Sequence, residues 1–243
     1  MAARSHGFRV VRLGRVASTQ DQLRERARAG EDVAGLCLRA TAQTRGRGRR
    51  GAPWASAPGG SYQSAGLGRE AFPWLTLALG VGVAEALDEG LDGLAVHGAG
   101  VAVKWPNDLY LGGGKLGGII VEVVAGQVVA GVGVNVANAP PPAGAALSGA
   151  DPETVSELVL VGLRRGVALA GAGGEAVRER FAARDVLRGR DVAVATGDEP
   201  TAVLTGVALG VDEVGALLVA AGGGVPVRVT TGHVVRFGGR LAG

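Results

Sequence analysis

The sequence predicts an α+β domain, with a central mixed sheet and flanking helices, followed by a small all-β module. Three observations carry that expectation. Between Phe8 and Ala183, β-rich runs alternate with stretches patterned for helices. Two of those runs, Lys115–Val124 and Val128–Val136, are joined by Ala125-Gly126-Gln127, which reads as a hairpin. Beyond Asp191 the chain breaks into short Val-rich runs separated by Gly and Asp turns, the pattern of a small barrel or sandwich. The boundary falls near residue 186, giving domains 1–186 and 187–243.

The elements follow in chain order. Phe8–Leu13 reads as a strand. Ser18-Thr19 then caps a helix, with Thr19 and Gln22 at capping-box spacing, and Gly30 ends it. Val33–Ala40 is a buried strand running into an Arg/Gly loop, and Ser61–Leu67 is the strand after that loop. Trp74–Glu89 is an Ala/Leu-rich helix, and Val101–Trp105 is a short strand ending in the polar corner Lys104–Asp108 (KWPND). The hairpin comes next, and Asn138–Gly149 is a Pro/Gly/Ala loop. Asp151 opens a helix carrying Leu158 and Leu163, and Glu175–Ala183 is a second one. The terminal module is made of Asp191–Thr196, Ala202–Leu209, Ala216–Ala221 and Pro226–Thr230.

Bulk composition narrows the function classes. The chain has 243 residues, 47% of them hydrophobic, enough for a sizeable core, so global disorder is excluded. Aromatic residues are only 4%, so that core is built from Ala, Val and Leu. The net charge of +3 is small and much of the excess sits in one loop, whereas a general nucleic-acid binder spreads basic residues along a face. Cys37 is a lone cysteine in an apolar run, which rules out an intrachain disulfide and suits a reducing cytosol. His6, His97 and His233 are isolated, and no Cys/His ligand spacing exists. The N-terminus carries no apolar stretch of signal-peptide length. The apolar stretch Trp74–Leu87 is too short and too Gly-broken to span a bilayer. A soluble, cytoplasmic protein is expected, with no membrane association.

The stretch Thr44–Trp54, TRGRGRRGAPW, demands an explanation. Arg45, Arg47, Arg49 and Arg50 repel one another, and Gly46, Gly48 and Gly51 deny the segment a stable helix or strand. Three readings compete: an RGG-like nucleic-acid segment, a dinucleotide loop, and a loop that closes over a small anionic ligand. Gly46–Gly51 matches G-x-G-x-x-G, but the dinucleotide form needs a helix immediately afterwards, and Ala52–Ser61 (APWASAPGGS) cannot supply one. A phosphate loop at Gly114-Lys115 fails too, because Leu109 and Leu116 stand where Gly and Ser/Thr belong. Other clusters put a polar group beside glycine at a strand end: Gln43 at the loop entrance, Lys115 with Gly117-Gly118, and Gly131–Asn135 (GVGVN). Each alone reads as a solvated lysine or a tight turn; together they fit a concave site.

The combination STQ (Ser18–Gln20), QTRGRGRRGAPW (Gln43–Trp54), KWPND (Lys104–Asp108), KLGGIIVE (Lys115–Glu122) and GVGVN (Gly131–Asn135) closely resembles biotin protein ligases, in order and spacing, over about the first 140 residues. The resemblance implies the class II synthetase-like biotin–lipoate ligase fold with a C-terminal SH3-like barrel. It implies an ATP-dependent ligase that makes biotinyl-5′-AMP and transfers biotin to a lysine of a biotin carboxyl carrier protein, with Mg²⁺ accompanying ATP. The helix-turn-helix of the family's repressor members is not matched, which implies a stand-alone form, monomer or homodimer, with no DNA role. A lipoate-type acyl-adenylate ligase is the related alternative.

By the same resemblance, Ser18, Thr19 and Gln20 line the ureido end of biotin, with Gln20 standing where most relatives have Asn. Gln43 contacts biotin from its strand end, and Gly46, Gly48, Gly117, Gly118, Gly131 and Gly133 admit the ligand close to the backbone. Arg47 and Arg49 hold the carboxylate and phosphate. Lys115 bridges the biotin carboxyl and the α-phosphate, so Lys115, Arg47 and Arg49 form the catalytic set. Trp54, Asn107 and Asn135 belong to the nucleotide side, together with Arg236, which sits one position off the usual spacing. Asp108 is the Mg²⁺ candidate, and His233 receives no role.

Overall fold

A computed structural model describes residues 3–91, 100–138, 144–196 and 203–241. Strands β1 (Ala3–Ser5), β2 (Phe8–Val16), β3 (Leu36–Gln43), β4 (Ser61–Gly68), β5 (Ala102–Lys104), β6 (Asp108–Leu111), β7 (Gly114–Val124) and β8 (Gln127–Val134) form one sheet. Its order is β1-β2-β3-β4-β8-β7-β6-β5. The pairing is mixed: β2 and β3 run parallel, and the other neighbours are antiparallel.

The two faces of this sheet are separated by strand alternation. On β3, Leu36 and Leu38 pack with Leu23 and Ala27 of helix α1 (Thr19–Arg28) and with Val129 of β8. Cys37 points the other way, into the main core with Ala65, Ala130 and helices α2 (Leu75–Gly90) and α3 (Pro152–Gly171). Those helices approach closely because Gly82, Gly162 and Gly166 face one another. A Cβ on Gly162 would lie 2.8 Å from the Gly82 carbonyl oxygen. Asp151 caps α3 by accepting the Thr154 N–H, and α4 (Gly174–Ala182) completes the layer.

The second sheet contains β9 (Asp191–Ala195), β10 (Val203–Val211), β11 (Leu217–Ala220), β12 (Val227–Val229), β13 (His233–Phe237) and β14 (Arg240–Leu241). It is antiparallel throughout, in the order β12-β11-β10-β9-β13-β14. It shares a core with the first sheet: Val192, Val194, Leu217 and Phe237 belong to the same buried cluster as Leu87 and Trp105. The Trp105 indole N–H donates to the Gly215 carbonyl at 3.0 Å, and Tyr110 meets Phe237 edge-on.

Several boundaries differ from expectation. Ser18, not Thr19, is the cap of α1, accepting the Asp21 N–H at 3.2 Å; Thr19 is turned to Gln43 instead. The strand expected at Val33–Ala40 begins only at Leu36, because the Leu36 N–H closes a turn onto the Val33 carbonyl. The strand expected to reach Val136 stops at Val134, where the Asn135 N–H turns to the Leu116 carbonyl. β1 and β6 were not expected; both are short, with no alternation for a pattern to register. His97, Ala202 and part of the Asn138–Gly149 loop lie outside the described residues.

Candidate functional site

On the α1 face of the sheet, the ends of β3, β7 and β8 and the Arg/Gly loop enclose a cavity of about 530 Å³. One end is polar and tightly wired. Thr19 donates its backbone N–H to Gln43 Oε1 at 2.8 Å, and its hydroxyl lies 2.9 Å from Ser64 Oγ. Gln43 spends its amide N–H on Ser56 Oγ at 2.9 Å. Gln20 donates Nε2 to Glu122 Oε2 at 2.8 Å. Gly131 is glycine because a Cβ there would meet Gln20 Oε1 at 2.7 Å.

The other end is cationic. Asp108 at the head of β6 lies between two ammonium groups: Lys104 Nζ is 2.9 Å from Oδ2 and Lys115 Nζ is 3.0 Å from Oδ1. Lys104 is buried, whereas Lys115 lines the cavity with its Nζ 5.6 Å from the Trp54 ring centre, within cation–π range. The indole lies against Gly133, where a Cβ would come within 2.8 Å of Cε2. Asn107 ties this corner to β7, donating Nδ2 to the Ile119 carbonyl at 3.0 Å.

The Arg/Gly loop covers the cavity as a compact turn. Gly48 N–H donates to the Ala52 carbonyl at 2.7 Å, Arg47 pairs with Pro53 as an isolated bridge, and Arg50 adopts a positive φ of 52°. Side-chain anchors hold it, a long contact from Arg50 Nη2 to Thr231 Oγ1 at 3.5 Å among them. Arg47 Nη1 reaches Asp21 Oδ1 at 2.6 Å, and Arg49 Nη1 donates to the Gly232 carbonyl at 3.1 Å. Burial first, and then Arg50 beside it, push the Arg49 guanidinium below its ordinary value, with Asp108 opposing. Arg49 is thus a partly desolvated cation, suited to pair with an anion.

Of the residues expected at the site, Ser18, Thr19, Gln20, Gln43, Arg47, Gly48, Arg49, Trp54, Asn107, Asp108, Lys115, Gly118, Gly131 and Gly133 all line this cavity. Others do not. Gly46 sits at the loop base, where a Cβ would press on Ser56 Oγ at 2.5 Å. Gly117 faces away from the cavity, and a Cβ there would meet the Gly133 carbonyl at 2.6 Å. Asn135 is a buried bracket, donating Nδ2 to the Ala145 and Lys115 carbonyls. Arg236 is exposed on β13 and outside the cavity.

Asp108, expected with Asn107 to help organise Mg²⁺ with ATP, is engaged by protein groups in this structure. Both of its oxygens are held by ammonium groups, and among the described residues no group of three or more His, Cys, Asp or Glu could hold a metal. The donor set does not fit a resident cation.

Sequence reasoning missed the contribution of the second sheet. Gly232, His233 and Val234 line the cavity, brought there by tertiary packing. Burial, followed by Arg50, Lys104 and Arg49, lowers the pKa of His233 and favours its neutral imidazole. Gln63, Ser64 and Ile120 complete the floor, and only their strand placement could have signalled them.

The sequence profile of the Biotin/lipoate A/B protein ligase family matches residues 13–137. That is more than half of the chain. The chain belongs to this family. Among curated relatives, the biotin–[acetyl-CoA-carboxylase] ligase of Paracoccus denitrificans is 34% identical over 197 residues, covering 72% of this chain and 80% of its own length. The ligase of that name from Mycobacterium tuberculosis is 42% identical over 134 residues, 53% of this chain. That match spans only 49% of the mycobacterial protein. The biotin protein ligase from Aquifex aeolicus, solved with biotin and ATP, superimposes with a TM-score of 0.77 at 26% identity, covering 96% of this chain and 99% of its own. The expected ligase fold is therefore the observed one. No helix among the described residues is long and apolar enough to cross a membrane.

Proposed function

We propose that the chain is an ATP-dependent biotin protein ligase. The observation that carries this reading is a single cavity with a hydrogen-bonding end at Thr19, Gln20 and Gln43 and a cationic end at Arg47, Arg49 and Lys115. Biotin has matching ends, a ureido ring and a carboxylate. In the first step a carboxylate oxygen attacks the α-phosphorus of ATP, the bond to the β-phosphate oxygen breaks, and pyrophosphate leaves. Both reactants are anions, and Lys115 and Arg49 stabilise the charge gathering between them in a poorly solvated site. Mg²⁺ enters with ATP as part of the substrate.

In the second step a lysine amine of a biotin carboxyl carrier protein attacks the carbonyl carbon of biotinyl-5′-AMP. AMP leaves and the amine sheds its proton to solvent. Water competes for the mixed anhydride, and the closed Arg/Gly loop keeps it out. A cytoplasmic location suits the lone buried cysteine, whose thiol burial pushes up to about 12, leaving it unreactive. Pyrophosphate release tests the reading: it is expected with biotin, ATP and Mg²⁺ together, and silence under those conditions overturns it.

A further inference from the structure

Within the cavity, two buried side-chain atoms have no hydrogen-bond partner among the described residues: Gln20 Oε1 and Trp54 Nε1. Gln20 is 3% exposed, so its free carbonyl oxygen is cut off from solvent. A buried acceptor left unpaired is costly, which makes its ligand preference sharp. The orientation of that amide is set from outside. Glu122 on β7 offers a carboxylate, which only accepts, so the Gln20 NH₂ must face it and Oε1 must face the cavity over Gly131. Arg24 faces the carboxylate as an ion pair, its Nε 3.5 Å from Glu122 Oε1 without a hydrogen bond, and Arg24 Nη1 lies 3.1 Å from Asp21 Oδ1.

We infer that Glu122 is a specificity-determining residue, positioning the Gln20 amide so that the pocket demands an N–H donor from the ligand's ring. The inference rests on the biotin reading and deepens it. A ureido ring brings N–H groups to that place. The dithiolane ring of lipoate brings only sulfur and leaves Gln20 Oε1 buried and unpaired. A site built around a hydrogen bond rejects the analogue that lacks it far more strongly than a merely apolar pocket does. Asp21 belongs to the same chain of contacts, so the ion pair that anchors Arg47 also steadies the arginine that faces Glu122.

The test compares kcat/KM for pyrophosphate release with biotin and with lipoic acid, in the native chain, E122M, E122Q, Q20A and the double variant Q20A/E122M. Met keeps the length of Glu and accepts the amide only weakly; Gln accepts or donates and so only loosens the orientation. The biotin-to-lipoate ratio is expected to fall about tenfold or more in E122M and Q20A, and less in E122Q. The loss should lie in KM for biotin, with kcat largely kept, because the ring end is remote from the reacting carboxylate. The double variant should be no worse than Q20A, since Glu122 acts through Gln20. Equal losses for both acids, a loss confined to kcat, or independent addition of the two substitutions overturns the inference. Should E122M fold poorly, Q20A and E122Q test the same bond from its other side. A native chain active on biotin whose ratio survives Q20A and E122Q sinks this inference alone. A native chain inactive on biotin sinks the biotin reading with it.

Discussion

Lys104 and Lys115 share one carboxylate but occupy different surroundings, so removing each should have a different consequence. Lys104 is 3% exposed, and its partner Asp108 is 6% exposed. In K104A, Asp108 keeps Lys115 on Oδ1 but its buried Oδ2 loses its donor, so the substitution should cost about 1–3 kcal/mol of stability. Lys115 is partly exposed and presents its ammonium to the cavity beside Trp54. In K115A, Asp108 keeps Lys104, so chemical denaturation should show little change. Adenylate formation should fall about 10²–10³-fold, as for loss of one preorganised contact to developing charge. Single-turnover rates that survive K115A would make this lysine a structural partner of Asp108 and nothing more. A third substitution probes the nucleotide side. In G133A the new methyl would press on the Trp54 indole, which has no flexible end with which to give way. Ligand affinity should drop about tenfold or more, measurable by calorimetry, because a displaced indole also displaces the loop that follows Gly46.

The Arg/Gly loop shows how an element's sequence states a problem that tertiary structure solves. No Asp or Glu lies between Asp32 and Glu70, so the arginines look unpaired in the chain. The structure supplies Asp21 from α1, 26 positions before Arg47, and the Gly232 carbonyl from the second sheet for Arg49. D21N should therefore loosen the loop, but only modestly. The Arg47–Asp21 pair is part-exposed, and such pairs contribute at most about 1 kcal/mol. Hydrogen exchange at the Gly48 amide, which donates to Ala52, should speed up by no more than about fivefold. Arg49→Gly removes the partly desolvated cation and should release biotinyl-AMP faster, with less selective labelling of lysines. Unchanged exchange at Gly48 in both variants would mean that the loop is held by its own backbone turn. The elements around it were legible to different degrees. The β7–β8 hairpin was readable because two β-rich runs flank a short Gly-containing joint; the turn itself is Ala125 and Gly126, with positive φ of 48° and 72°, and Gln127, expected in the joint, already opens β8. β6 was not, since four residues followed by Gly112-Gly113-Gly114 carry too little alternation to mark a strand. Gln43, Lys115 with Gly117-Gly118, and Gly131–Asn135 stood out as polar groups beside glycine at strand ends, whereas STQ reads locally as a helix cap and gained a site role only from its resemblance to biotin protein ligases. Gly232 and His233 did not stand out, because only packing of the second sheet brings them to the cavity.

At the scale of the whole molecule, the two sheets meet along a seam that contains a titrating group. After α4 the chain runs beside β5, with the Val103 N–H donating to the Arg184 carbonyl and the Val186 N–H to the Val103 carbonyl. Asp185 lies between those bonds. Its Oδ1 accepts the Leu187 N–H at 2.9 Å, while Oδ2 is buried without a partner. Burial pushes this carboxyl up to about 6, and the Leu187 N–H and Arg188 offset only part of that. A carboxyl raised in the native state favours folding while it is protonated. Its contribution is complete below the ordinary value of 3.8 and is lost as pH rises through about 6. That interval corresponds to on the order of 3 kcal/mol, as an upper figure for a buried group. Because the core is continuous across the seam, the loss should appear as a lower midpoint for one cooperative transition, with no early release of the second sheet. Urea denaturation of the native chain and D185N between about pH 4 and pH 7.5 decides the point. The native chain should lose stability relative to D185N across that range, most steeply between about pH 4 and pH 6. A difference between the two that stays flat with pH would mean that Asp185 is ionised throughout, with water reaching the seam and relieving the burial that holds its proton.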